Sequence, residues 1–271
     1  EMILIAFGYI SAQKKLKCLR IDPFTSTEIT IGPDGNITTR QDNINMTVRE
    51  NIILHGGLLT NQTGNYSSWK FTDEFKADIR DIWEIARKLR HKWNRYGAII
   101  EDAIKNYPCD EKGTYTIPKN QLREAISVFY DLQHMGKLKY FSDQPKRIRF
   151  QFKNREIKNI ITKTGNILEL HVYEVASRRP DIFNDEIISA VIDWNGNKTQ
   201  EQKKQFASDY KRYMDTTYDT VNEIDVILMR SVIPTFISCK SGRAGSLALH
   251  ELQTVTHRFG GKEGSDYGTS C

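Results

Sequence analysis

Six apolar residues, Phe75, Ile79, Ile82, Ala86, Leu89 and Trp93, recur at alternating spacings of four and three. Only a helix puts such a series on one face, so the stripe predicts an amphipathic helix whose apolar side must be covered by other elements. Gly97 is the expected stop, and a second short helix is expected over Ala98 to Lys105. A third is expected from about Pro118 to Met135, carrying Leu122, Ala125, Ile126, Phe129 and Leu132 inward and ending at Gly136. These helices fix the middle of the chain as a packed helical unit.

A different period follows. Leu138 to Phe141 and Arg147 to Phe152 flank Asp143-Gln144-Pro145, the pattern of a β-hairpin. In its second strand Ile148, Phe150 and Phe152 point one way, and Arg147, Arg149, Gln151 and Lys153 the other. Helices followed by a basic hairpin read as a winged-helix-like domain. Arg147, Arg149 and Lys153 are its candidate contacts to a nucleic-acid backbone, or a solvated face with no partner.

On either side the chain reads as α/β. Met2 to Ala12 predicts a buried helix, Leu16 to Ile21 a strand, and Pro33-Asp34-Gly35 a turn. Residues 36–70 read as a polar linker around a short apolar knot, Ile52 to Leu59. After Asn159 the expected order is a helix over Ile167 to Ala176 and a strand over Ile188 to Trp194. A charged helical stretch to about Tyr213 comes next, then strands over Glu223 to Met229 and Thr235 to Cys239 and a helix over Leu247 to His257. That order describes helices packed on a central sheet.

Composition bounds the function without naming it. Of 271 residues, 39% are hydrophobic and 27% charged, which excludes a disordered or collagen-like chain. No apolar run approaches the roughly 18 residues a membrane helix needs, so no membrane partner is expected. The net charge of +5 permits a polyanionic partner without demanding one. The four cysteines are far apart and form no CxxC pair, which argues against a zinc site and for a reducing compartment. Glu1 opens directly into an apolar segment, and the chain reads as the interior of a longer protein or as one lacking its ends.

Chemistry concentrates in Asn222-Glu223-Ile224-Asp225-Val226 and Phe236-Ile237-Ser238-Cys239-Lys240. An acid early in one strand and a lysine ending the next, fifteen positions later, is the layout of the PD-(D/E)xK nuclease core. A carboxylate can hold a hard divalent cation that polarises a phosphate and activates water. A lysine beside it can stabilise charge growing on the phosphate oxygens. The competing reading is an isolated strand-end acid and an exposed lysine. Glu169, in the helix before the sheet, and Glu251, in the helix after it, can each aim a carboxylate at the strand ends. Glu174, Glu223, His250 and His257 are weaker candidates, and Tyr173 reads as packing.

Gly165-Asn166-Ile167-Leu168-Glu169-Leu170, the two strand motifs, Leu249-His250-Glu251-Leu252 and Arg258-Phe259-Gly260-Gly261 occur in series. In this order they resemble the CARF-fused restriction-endonuclease-like effector nucleases of type III CRISPR systems, over about residues 45–264. The resemblance implies a multidomain α/β protein. Residues 1–35 would be the C-terminal part of a Rossmann-like CARF domain and 36–70 a linker. Residues 71–155 would be a winged-helix-like domain and 156–271 a PD-(D/E)xK-like nuclease domain. It implies a homodimer in a prokaryotic cytoplasm, activated by cyclic tetra-adenylate; the substrate stays open among single-stranded DNA, duplex DNA and RNA, with DNA the first expectation and RNA the second. Asp225 is then a metal ligand and Lys240 the catalytic lysine, with Glu169 and Glu251 as supporting acids.

The ion expected is Mn2+ or Mg2+, held by Asp225, the Cys239 carbonyl and Glu251. One position departs from the pattern. Ser238 stands where the second acid belongs, so Glu251 or Glu169 takes its place, the metal is held loosely, or the nuclease is inactive. The residues that would contact the activator lie largely outside this chain. The alternative to a nuclease is a ligand-sensing winged-helix regulator, or an inactive nuclease scaffold.

Overall fold

The computed structural model describes residues 13–22, 27–41, 45–61, 66, 69–163, 165–193, 221–240, 252–253, 256 and 265–270. The expected helix at Met2 to Ala12 and the charged stretch to Tyr213 lie outside them. So does most of the helix at Leu247 to His257, of which Leu252, Gln253 and Thr256 are helical.

Three strands open the described chain, β1 (Cys18–Asp22), β2 (Thr27–Ile31) and β3 (Ile37–Gln41), paired antiparallel in sequence order. The Pro33-Asp34-Gly35 turn links the last two. Gly35 has φ +79°, which a β-carbon would oppose. The meander runs past residue 35.

Residues 36–70 are more than a linker. Thr47 and Glu50 form a reciprocal capping box that starts α1 (Val48–Leu54). The strand after it, β4 (Leu58–Asn61), pairs antiparallel with β8 (Asp185–Asp193). The apolar knot is therefore core: Val48, Ile52 and Leu59 pack with Ala190, Ile192, Ile224, Ile227, Met229, Phe236 and Leu252.

The apolar stripe forms two helices, not one. Thr72 caps α2 (Asp73–Leu89) by accepting from the Phe75 N–H, and Arg87 and Lys88 oppose the dipole at the far end. Arg90, at φ +50°, then turns the chain, so Trp93 belongs to α3 (Lys92–Asn106). Gly97 sits buried inside α3, where packing overrides its poor helix propensity.

The third expected helix also divides. It begins with β5 (Tyr115–Pro118) and α4 (Lys119–Leu122), breaks at Arg123 with φ +48°, and resumes as α5 (Ile126–His134). Gly136, at φ +67°, ends it as the sequence predicts. The hairpin follows as β6 (Leu138–Asp143) and β7 (Arg147–Phe152), with Ile148, Phe150 and Phe152 all buried. β7 lies between β5 and β6, and this small sheet covers the helices where Phe150, stacked on Tyr115, packs against Phe129.

Beyond it come α6 (Arg155–Thr162), capped by Asn154 and not anticipated in the sequence, and α7 (Asn166–Ser177). The second sheet has the order β11 (Ser265–Ser270), β10 (Ile233–Lys240), β9 (Val221–Arg230), β8, β4. Its pairings are antiparallel except β10 with β11. Pro234 lies within β10, and the β9–β10 turn is at Ser231, φ +58°.

One face of this sheet joins the core of the helices through Ile188, Val226, Leu228, Ile237 and Cys239. The other face packs on α1. A continuous apolar core thus runs from the helical unit into the sheet. Among the described residues no helix is long and apolar enough to cross a membrane.

Candidate active site

The site arises from a change of phase in two neighbouring strands. Along β9, Val226 and Leu228 face α7, while Ile227 and Met229 face α1. Strict alternation would then send Ile224 to the α7 side, yet it lies with the α1 core. The same reversal occurs on β8 between Ile188 and Ala190.

Both reversals fall at one register position. β8 and β9 pair in unchanged register on either side and omit only the Ser189–Asp225 step. Ser189, 1% exposed, takes up the reversal at φ +51°. Asp225 sits at this interruption, with its charge close enough to Glu169 of the helix before the sheet to act on that carboxyl.

The β9–β10 ladder ends at Val226–Ile237, immediately before Asp225. Its carboxylate replaces the missing rungs. Oδ2 accepts from the Cys239 N–H at 2.5 Å and from Ser238 Oγ at 3.3 Å. Lys240 Nζ lies 3.7 Å from the same oxygen. Lys240 is 45% exposed and Asp225 16%, so the lysine reaches out from a mostly covered acid. The acid and lysine predicted from spacing alone are neighbours.

Glu169 enters from α7. Gly165, at φ +98°, begins that helix and puts Glu169 in its first turn. Burial pushes its carboxyl up to about 7, helped by the negative charges of Asp225 and Glu223. The Tyr66 hydroxyl donates to Glu169 Oε2 at 3.1 Å and, with Lys240, opposes that rise. Tyr66 was not singled out in the sequence; its neighbours Asn65 and Ser67 gave that stretch the look of a polar loop. The phenol is 1% exposed, and burial followed by the Glu169 charge holds its proton far above the ordinary phenol range.

The other candidates separate. Glu223 is exposed and accepts from Ser189 Oγ at 2.7 Å, beside the site. Glu174 is fully buried on α7 and bonded to Arg80 and Arg178, a structural ion cluster. Tyr173 packs on Phe71, as expected of a packing residue. Glu251, His250 and His257 lie outside the described residues.

On the hairpin, Lys153 is bound to Glu74 at 2.7 Å and Asp78 at 2.9 Å, which takes it out of the basic face. Arg147 donates to Gln144, and Arg149 lies over the Tyr140 ring.

Asp225 Oδ1 and Glu169 Oε1 accept no hydrogen bond from the described residues. Two electrostatically coupled carboxylates, each with one oxygen left open, suit a hard cation with oxygen ligands. Among the described residues no group of three His, Cys, Asp or Glu side chains forms a complete metal site. The third expected acid, Glu251, is outside them.

The arrangement is that of a mixed α/β protein with helices packed on an antiparallel-dominated sheet, and solved structures share it. Protein VC1899 from Vibrio cholerae matches with a TM-score of 0.65 at 14% identity, over 98% of this chain and 63% of that one. Can2 from Sulfobacillus thermosulfidooxidans, in complex with cyclic tetra-adenylate, matches with a TM-score of 0.53 at 14% identity, over the same shares of the two chains. The chain therefore spans less than two thirds of either structure, and at such identity the likeness is one of fold. No family model and no curated protein matches the sequence.

Proposed function

We propose that this chain is the linker and nuclease portion of a CARF-type effector: a metal-dependent endonuclease of type III CRISPR defence, switched on by cyclic tetra-adenylate. The observation that carries this reading is the closeness of Asp225 and Lys240 at the end of the β9–β10 ladder, with Glu169 near enough to feel both charges. The fold shared with Can2, solved with cyclic tetra-adenylate, supports the activator.

In this reading Asp225, Glu169 and the Cys239 carbonyl hold Mn2+ or Mg2+, with Glu251 completing the set. When bound, such an ion polarises the scissile phosphate and lowers the pKa of a coordinated water. Asp225 is oriented for this role by the Cys239 N–H, which fixes Oδ2 and leaves Oδ1 open. Lys240, tethered near Asp225 but half-exposed, stabilises the charge that develops on the phosphate oxygens. Ser238 contributes a hydrogen bond to Asp225 where a second acid would contribute a ligand. The substrate is DNA, with RNA second. The protein acts as a homodimer in a prokaryotic cytoplasm, and activator shifts the population toward a dimer geometry that closes on substrate.

The order helix, strand, two helices, two strands over residues 92–152, with β7 central in its sheet, supports a winged-helix-like middle domain. That domain is poorly made for reading DNA. Its helix α5 carries no Lys or Arg, its Asp131 is paired with Lys88, and its Tyr130 is bonded to Asp143. A DNA-binding regulator is accordingly the weaker reading. An inactive scaffold is favoured only by Ser238.

The deciding experiment is nicking of supercoiled plasmid by the full-length protein in Mn2+, with and without cyclic tetra-adenylate, beside Asp225→Asn and Lys240→Ala. Cleavage that needs activator and is lost in both variants supports the gated nuclease. No cleavage of plasmid, single-stranded DNA or RNA with either metal sinks it in favour of a scaffold.

A further inference from the structure

We propose that Tyr66 is a positioning residue of the active site, holding the Glu169 carboxylate so that its free oxygen faces the cation beside Asp225. This rests on the nuclease reading of the site. Tyr66 lies between β4 and α2, far in sequence from every acid of the site, and its hydroxyl donates to Glu169 Oε2 at 3.1 Å. The ring is clamped: Trp69 meets it edge-on at 4.7 Å, and Trp69 in turn meets Phe75 at 5.5 Å. Phe75 belongs to the first turn of α2.

A buried phenol could satisfy its hydroxyl on many acceptors. Here it ends on Glu169, and the phenol also lies within reach of the Asp225 charge. The bond occupies Oε2 and restrains the orientation of the carboxyl group, and Oε1 is left without a hydrogen bond from the described residues. Partners of metal-binding carboxylates commonly contribute about 10- to 100-fold to metal affinity.

The test measures Mn2+ binding by the full-length protein, with cyclic tetra-adenylate present, for wild type, Tyr66→Phe, Glu169→Gln and the double variant. Thermal midpoints and cleavage kinetics are taken in parallel. Tyr66→Phe keeps the ring and its packing, so its melting transition should stay within a few degrees of wild type. The expected result is Mn2+ affinity lower by about tenfold, kcat lowered with KM for nucleic acid unchanged, and no additional loss in the double variant. 3-Fluorotyrosine at position 66, which keeps the hydroxyl, should restore binding.

Wild-type Mn2+ affinity in Tyr66→Phe, or losses that multiply in the double variant, would overturn the role of Tyr66 and leave the nuclease intact. A wild type that takes up no Mn2+ and cleaves nothing would overturn the nuclease reading, and the proposal with it.

Discussion

Ser189 and Asp225 face each other across β8 and β9 at the single position where those strands leave their pairing unmade. Neither residue could turn alone without breaking the register of both strands. Because both strands reverse phase at this step, the sheet continues in register on either side and the Asp225 charge lies near Glu169 of α7. The strained backbone at Ser189 is the cost of that reversal.

Ser189→Gly should therefore be well tolerated, since glycine adopts φ +51° freely. Ser189→Val should destabilise by about 2 kcal/mol or more, because a β-branched residue resists that conformation and the site is buried. Urea unfolding of the two variants checks the ordering, and cleavage should fall with Val as Asp225 loses its orientation. Equal stability of the two would remove strain from the explanation.

Lys240→Ala is expected to lower kcat by about 100-fold or more while leaving the melting temperature almost unchanged, since Lys240 is half-exposed and 3.7 Å from its partner. Asp225→Asn should match that loss, and raising Mn2+ should recover part of it only in the asparagine variant. Single-turnover cleavage against metal concentration separates the two.

The carboxyl of Glu169 sits at about 7 in the fold against an ordinary 4.5. With the folded value raised, the folded protein binds the extra proton between those limits, so stability should fall as pH rises from about 4.5 to 7 and level off above. Glu169→Gln should flatten that slope and stabilise the metal-free protein at pH 8 by up to about 3 kcal/mol, less whatever the lost Tyr66 bond costs. Guanidinium midpoints at pH 5 and pH 8 provide the check. A glutamine variant that keeps the wild-type slope would assign the slope elsewhere.

Lys137 is 5% exposed and bonded to Asp78 at 2.7 Å and Asp81 at 2.6 Å, and Lys153 meets Asp78 from the other side. Lys137→Ala leaves Asp78 buried with one partner, which should cost about 3 kcal/mol. Lys153→Ala should also lower the melting temperature, by less, without changing the salt dependence of nucleic-acid binding. Arg147→Ala with Arg149→Ala should spare stability and tests the basic face itself: a slope of log affinity on log salt reduced by about 1 to 2 puts both arginines on phosphate, and an unchanged slope leaves them solvated.

The sequence revealed periods and spacings well, and hid whatever depended on a single backbone angle. Alternation in Arg147 to Phe152 located a real strand because burial on one face enforces it. The stripe from Phe75 to Trp93 was also real as a buried face, yet it bends at Arg90, an arginine in a left-handed conformation that no propensity announces. Asp225 and Lys240 were legible because adjacent strand ends turn sequence spacing into proximity. Tyr66 was not, since it reaches Glu169 across 103 residues from a stretch of Asn, Gly and Ser.

β4 has a consequence for how this chain can be divided. The strand precedes the helical unit in sequence, yet it hydrogen-bonds to β8, which follows it. The helical unit is thus an insertion into the sheet's own sequence, entered and left through the same fold. A fragment starting at residue 156 would be missing a rung and would leave β8 as a bare, largely apolar edge open to pairing with other chains. Because the apolar core of the helices is continuous with one face of the sheet, cutting the chain at either end of the helical unit bares apolar surface on both pieces.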